Sequence, residues 1–338
     1  MTLKIHAVPA REIGDSMLAA WSRIQESDSA LASPFFRPEF TAQVAAVRAD
    51  VHVGILECAG EPVGFFPFQR DEKKLGTPVG GKLSDYHGVI AQQETAWDPR
   101  RLIRACDLVE WQFDHVPAAQ AALRRFQRHA TQSPQMDLAR GYEAYAQERR
   151  AAGSEQIKKT TALRRKLERE VGAVRCEVHS ADAAVLRTLM RWKSRQYAES
   201  GKTDIFAIPW IVAVMEKIHA AQGGHFAGML SVLFAGGQPI GAHFGMRSRT
   251  VWHYWLPTYD REFAKYSPGL ILLLEMAAQA QALGIQTIDL GKGNALYKQR
   301  LMNGAVPLLE GVVPASPLRA AVLTLRAGVK AWVRRRWR

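Results

Sequence analysis

Little in this sequence points to redox, metal or membrane-spanning chemistry. Cysteine is scarce: Cys58, Cys106 and Cys176 are the only three in 338 residues, far apart and without the spacing of a metal site or a disulfide framework. They read as small buried hydrophobes in a reducing compartment. Long apolar runs are missing too. The longest candidate, Leu270 to Leu283, contains Glu275, Gln279 and Gln281 and falls short of the roughly 18–20 residues that cross a bilayer. The opening MTLKIHAVPAREIGDSM lacks a cationic start followed by an apolar run, so the expectation is a cytoplasmic chain. Acid is absent from Gly311 to Arg338. That stretch carries Arg319, Arg326, Lys330, Arg334, Arg335, Arg336 and Arg338, seven of the thirteen net positive charges. The remainder is only mildly basic, which suits an anionic ligand as well as it suits RNA.

What is present is ample core-forming material. Hydrophobic residues make up 47% and charged residues 23%, and the length allows about two domains of ordinary size. Two segments resemble each other: Gly-Glu-Pro-Val-Gly at 60–64 and Gly-Gln-Pro-Ile-Gly at 237–241. Each sits in the turn of a strand pair, Val51–Glu57 with Val63–Gln69 and Met229–Phe234 with Ile240–Arg247. A further strand, a helix and another strand follow each hairpin: helix Asp98–Cys106 and strand Leu108–Phe113 in the first copy, helix Ser267–Leu283 and strand Thr287–Leu290 in the second. The common order implies an internal duplication. Between the copies, Asp137–Arg150 and Gln156–Glu170 favour helix. In the second of these, charges alternate around Leu163 and Leu167, as on a solvated helix or on a basic surface for a nucleic acid or partner. Gly153-Ser154 marks a break, giving expected domains at 1–153 and 154–314 and a tail at 315–338.

In the second copy, Ala181–Tyr197 and Ile211–Ala220 read as helices. Three strands follow, at Phe226–Phe234, Pro239–Arg247 and Val251–Tyr259. The third, VWHYWLPTY, is strongly aromatic. Alternation puts Trp252, Tyr254 and Leu256 on one face and His253 and Trp255 on the other. Next, Ser267 has the chemistry of an N-cap and Pro268 suits the first helical position. The Gly269–Leu283 helix is apolar on nearly every side, so burial against the sheet is expected. Its N-terminus, with Lys265 just before it, is suited to a phosphate or pyrophosphate. Gly291-Lys292-Gly293 lacks P-loop spacing and reads as a strand-to-helix turn leading into a helix with Tyr297, Lys298 and Leu301. A last strand, Val306–Val313, is expected to close the domain.

Together, WKSRQYAESGKTDIF, GGQPIGAHFG, WHYWLPTYDREFAKYSPGLILL and IDLGKGNALYKQRL resemble the GNAT-type acyltransferases of the CelD/BioF2-like group, tandem GNAT proteins related to FemAB. The resemblance is best over residues 160–313. It implies an α/β (α+β) fold: two tandem GNAT-like domains, each a mixed, mostly antiparallel twisted sheet flanked by helices, the first of them degenerate. It also implies an acyl-CoA co-substrate with no metal, its pantetheine lying between the Val251–Tyr259 and Thr287–Leu290 strands and its pyrophosphate on the Ser267–Leu283 helix. The sequence departs from the usual Gln/Arg-x-x-Gly-x-Gly/Ala turn, carrying Lys265-Tyr-Ser-Pro-Gly-Leu instead.

Acyl transfer to an amine needs a base, donors for the developing oxyanion, and an acid for the leaving thiolate. Tyr297 is the candidate acid. His243, Asp260 and Asp289 are the candidate bases, with a buried or surface histidine and a backbone-bonding aspartate as the alternatives for His243 and Asp289. Lys265, Tyr266, Ser267, Gly269, Leu270, Tyr254, Leu256 and Lys298 are candidate donor-binding residues. Trp252 and Tyr259 are candidates for an acceptor platform, or else core; on the resemblance alone, Asp204 and Trp210 flank the acceptor groove. Pro317–Arg338 has Leu318, Val322, Leu325, Val329, Trp332 and Val333 at helical spacing with basic residues between, as in a helix lying on an anionic membrane or docked on the protein. The leading expectation is acyl transfer from acyl-CoA to an amino or hydroxyl group of a sugar or cell-envelope polysaccharide precursor. The alternatives are a FemAB-like aminoacyl transferase using charged tRNA, the one reading with a nucleic-acid partner, and a non-catalytic partner protein of the same fold.

Overall fold

The computed structural model describes residues 2–321 and 323. Along the chain run β1 (Lys4–Pro9), α1 (Asp15–Ser27), α2 (Pro38–Ala45), β2 (Val51–Cys58), β3 (Glu61–Arg70), β4 (Leu75–Thr77), β5 (Ile90–Ala91), α3 (Pro99–Ala105), β6 (Glu110–Pro117) and β7 (Gln127–Asp137). Then follow α4 (Tyr142–Ala151), α5 (Gln156–Val171), β8 (Val174–Glu177), α6 (Ala183–Glu199), α7 (Pro209–Ala220), β9 (Ala227–Ala235), β10 (Gln238–Arg247), β11 (Val251–Tyr259), α8 (Pro268–Gln279), β12 (Thr287–Asp289), α9 (Leu296–Leu301) and β13 (Gly304–Pro314). Among the described residues no helix is long and apolar enough to cross a membrane. The expected tail helix begins at Pro317, and beyond 323 it lies outside the described residues.

The residues form two compact units. Residues 2–31, 44–131 and 307–321 make the first, and residues 32–43 and 132–306 make the second. Within the first unit the strand order is β1-β2-β3-β4-β6-β13. All neighbours are antiparallel except β4 and β6, and β5 pairs with β3. Within the second the order is β8-β9-β10-β11-β12-β7, again antiparallel except for one pair, β11 and β12. The duplication expected from the two Gly-x-Pro turns is therefore present in the topology. A helix, α3 or α8, makes each parallel crossover, because parallel neighbours cannot be joined by a tight turn.

Two features depart from the sequence reading. The last strand does not close the second unit; β13 pairs with β6 in the first. The second unit is closed by β7, which pairs with β12. Its QRHATQSPQMD is too polar to announce a strand.

Local chemistry explains the shared hairpins. Ala59 and Gly60 both take positive φ (53° and 88°), as do Gly236 and Gly237 (56° and 85°), the geometry whose twist matches a two-residue hairpin. In the second unit, Gly241 lets α8 settle on β10: a Cβ there would meet the Pro268 Cβ at 3.2 Å. As its composition requires, α8 is buried along Ile271, Leu272, Leu273, Leu274, Met276 and Ala277. It shares a core with Trp252, Tyr254 and Ile288 of the sheet and Leu167 of α5. The outer face of α5 carries its charges in i,i+4 pairs, Lys159–Glu155, Arg164–Glu168 and Lys166–Glu170.

Candidate active site

The site begins where two parallel strands part. Val251, Trp252 and His253 of β11 pair with Thr287, Ile288 and Asp289 of β12, and there the ladder stops. The chain after β12 turns to β7, with the Leu290 amide donating to the Pro134 carbonyl, while β11 runs on to Tyr259. A cavity of about 350 Å³ opens beside this second half of β11. Strand β11 lines it with Tyr254, Pro257 and Tyr259, the start of α8 with Ser267, Gly269 and Leu270, helix α6 with Lys193 and Gln196, and α9 with Tyr297.

A bulge shapes the strand at this point. Between the pairs Phe244–Leu256 and Met246–His253, β11 places Tyr254 and Trp255 opposite the single residue Gly245. His243 fills the irregularity. Its Nε2 accepts the Trp255 amide at 3.1 Å, and its ring stacks on Tyr254 with centroids 4.4 Å apart. That acceptor role fixes the proton on Nδ1. Full burial, aided by the His253 and Lys193 charges, holds the imidazole well below its ordinary range, so it is neutral. His243 is thus no base: its one lone pair is committed to the backbone, and solvent does not reach it.

Ser267, Gly269 and Leu270 form the α8 end of the cavity. Ser267 is left-handed (φ 54°, ψ 55°) and its side chain makes no capping bond, contrary to the N-cap expectation; Pro268 does stand at the first turn. The Ser267 carbonyl instead accepts the amides of Leu270 and Ile271. The Tyr254 hydroxyl donates to the Gly269 carbonyl at 3.3 Å. Burial pushes Tyr254 well above the ordinary tyrosine range, and the nearby Tyr297 adds to this. The Tyr297 hydroxyl is pushed up to about 12 by burial, so it is protonated across the neutral range.

Ser267, Gly269, Leu270, Tyr254, Tyr259 and Tyr297 therefore meet around one cavity; the other candidates do not. Lys265 is exposed and turns to Glu170 (3.7 Å), and Tyr266 is buried with its hydroxyl donating to the same carboxylate at 2.8 Å, so both serve the α5 contact. Lys298 donates to the Gly291 and Lys292 carbonyls at 2.9 and 3.0 Å and so ties down the turn after β12. Asp260 caps its own 3-10 turn through the Glu262 amide at 3.1 Å. Asp289 is buried and accepts from the Ser133 hydroxyl (2.6 Å), the Gln135 amide (3.0 Å) and the Gly291 amide (2.8 Å), with His253 Nδ1 at 3.5 Å. It is a strand-to-strand brace outside the cavity. Trp252 has no exposed surface and Leu256 is buried, which rules out stacking of an acceptor on Trp252. Asp204 caps a short turn and accepts from the Ser194 hydroxyl at 3.1 Å. Trp210 stands half-buried in the first turn of α7. Neither Asp204 nor Trp210 lines the cavity.

Sequence reasoning missed Lys193 and Gln196. Lys193 Nζ donates to the Pro257 carbonyl and to Gln196 Oε1, each at 3.0 Å, and burial, with the Lys202 charge adding to it, pushes its ammonium down to about 8. A lysine and a glutamine one turn apart on a helix, with Ser194 and Arg195 between them, gave no signal beyond an amphipathic surface.

The sequence and the fold can be compared with known proteins. Residues 154–299 match the family described as the acetyltransferase (GNAT) domain. Three solved structures share the fold over most of the chain. FemX has a TM-score of 0.60 at 10% identity, covering 95% of this chain and 100% of its own. The C-terminal domain of a putative lysylphosphatidylglycerol synthetase from Agrobacterium fabrum gives 0.54 at 12%, covering 92% and 95%. A tandem GNAT protein from the clavulanic acid biosynthesis pathway gives 0.51 at 11%, covering 94% and 99%. The GNAT domain is thus one part of a tandem fold. No curated protein matches the chain in sequence. Among the described residues of the GNAT domain and its neighbours, no group of three His, Cys, Asp or Glu side chains is placed to hold a metal ion.

Proposed function

We propose that the GNAT domain transfers an acyl group from acyl-CoA to an amino or hydroxyl group of a sugar or cell-envelope polysaccharide precursor. The observation that carries the reading is the end of the β11–β12 ladder at His253 and Asp289, with a 350 Å³ cavity beyond it leading to the uncapped start of α8. The cavity suits a narrow pantetheine arm lying beside Tyr254 and Leu270. The Gly269 amide, the one N–H of the first three α8 residues that no carbonyl takes, and the helix dipole suit a phosphate group of the donor. The thioester supplies the activated acyl group. Tyr297 lines the cavity and is protonated, which supports its role as the acid for a leaving thiolate. The bulge supports the site from below: His243 holds the Trp255 amide, and Tyr254 ties β11 to α8.

Calorimetric titration with acetyl-CoA, beside a Ser267→Asp, Tyr297→Phe double variant, tests the reading. Binding that the double variant weakens supports it, and no binding of any short acyl-CoA overturns it. The FemX-like fold favours a second reading, in which the donor is aminoacyl-tRNA. The paired charges of α5 leave it a weaker RNA surface than the sequence had implied. A filter-binding assay with charged tRNA separates the two.

A further inference from the structure

The cavity contains a reactive group of the protein itself. Lys193 reaches into it from α6, and its Nζ is held only by neutral oxygens, the Pro257 carbonyl and the Gln196 amide. Among the described residues it has no ion pair within 4.0 Å. The groups around it do not replace one. On α6, Arg191 and Arg195 are cationic and Glu199 is already paired with Arg261 at 2.5 Å. Lys202 follows in the next loop. From the sheet come the neutral His243 and the hydroxyls of Tyr254 and Tyr259, and from α9 the protonated Tyr297. The ring of Tyr197 lies 5.5 Å from Nζ.

We infer that Lys193 is a modification site, acylated in place by the thioester bound in its own cavity. The inference rests on the proposed acyl-CoA donor. The lone pair of neutral Nζ attacks the thioester carbonyl. A C–N bond forms, the C–S bond breaks with its electron pair staying on sulfur, and one amine proton passes to the thiolate. The products are an N-acyl lysine and a free thiol. Lys193 lines the cavity proposed for the donor, and the electrostatics supply the reactive form. With Nζ titrating at about 8, roughly a tenth of it is neutral at pH 7, about 200- to 300-fold more than for an ordinary lysine. The acyl amide then stands in the cavity, so donor without acceptor switches the enzyme off.

The test incubates the full chain with acetyl-CoA and no acceptor, reads acetylation at each lysine by peptide mass spectrometry, and measures acetyl-CoA binding by calorimetry in parallel. Lys193 is expected to acetylate at least tenfold faster than the exposed Lys202. Its rate should rise about tenfold per pH unit up to pH 8 and then level, and excess CoA should suppress it. Lys193→Arg should bind acetyl-CoA and stay unmodified in that peptide. Binding without preferential acetylation of Lys193 overturns the inference and leaves the donor reading standing. Absence of binding overturns both.

Discussion

The two units share a strand series and part company just after their parallel pairs. In the second, β11 continues for six residues past its last pairing with β12, and the space beside it is open. In the first, β4 ends at Thr77 after pairing with β6 at Leu75 and Gly76, and the chain folds back into the corresponding space. His87 does the filling: its Nε2 accepts the amides of Asp114 and His115 on β6 at 3.0 and 3.1 Å, and its own amide donates to the His115 carbonyl. The helix starts differ in the same sense. Asp98 caps α3 through the Arg101 amide at 2.8 Å and pairs with Arg125, where Ser267 leaves α8 uncapped. The α3 start thus carries a capping carboxylate, and the α8 start carries none. Duplication preserved the sheet, and the copies differ in what satisfies the free backbone groups beyond the parallel pair and at the helix start.

The largest effect should come from Tyr297→Phe. If the second unit alone does the chemistry, kcat falls about 10²–10³-fold while the acetyl-CoA Kd is unchanged; an unaltered kcat would remove the acid from the site. Next comes Ser267→Asp, which gives α8 the acidic start of α3. The left-handed position tolerates aspartate, so the fold should persist while acetyl-CoA binding weakens about 100-fold by calorimetry. Retained affinity would break the contrast between the helix ends. Third, His243→Leu leaves the Trp255 amide buried without an acceptor, an expected loss of about 2 kcal/mol in denaturant unfolding.

The same variant has a pH signature. The folded imidazole titrates below its unfolded counterpart, so as pH falls through about 6.5 the unfolded chain binds the proton first. Wild-type stability is complete above that pH and declines below it. His243→Leu should lose this part of the slope, up to about 1.4 kcal/mol per pH unit. Smallest is His87→Ala. It should cost about 1–2 kcal/mol by freeing two β6 amides and leave acetyl-CoA affinity untouched. Acquired donor binding at a second site would show that His87 alone closes the first cleft.

Much of the fold was legible. The Gly-x-Pro turns, the alternation in VWHYWLPTY and the apolar α8 each depend on residues a few positions apart. Strand faces came out as expected: Trp252 and Tyr254 join the α8 core, while His253 and Trp255 both face Phe35, with centroids at 5.0 and 5.6 Å. The site was legible in part. Ser267, Gly269, Leu270, Tyr254, Tyr259 and Tyr297 line one cavity. Lys265 and Lys298 looked like anion ligands because a lysine beside a helix start or a glycine turn has the right charge. The partners that claim them, Glu170 and the 291–292 carbonyls, are set by the fold.

The sequence by itself determined the elements and their repetition, because turn chemistry and side-chain periodicity are local. Only the tertiary structure decided that polar β7 closes the second unit while β13 pairs in the first, since a strand's partner is fixed by which edge remains unpaired. It alone turned His243 from a candidate base into the acceptor of a bulge amide. It alone placed Lys193 in a cavity among neutral oxygens, where burial and neighbouring positive charge make its ammonium costly. Protonation and hydrogen-bond commitment depend on surroundings assembled from distant segments, so a residue's type fixes what it is able to do and the fold fixes what it is left free to do.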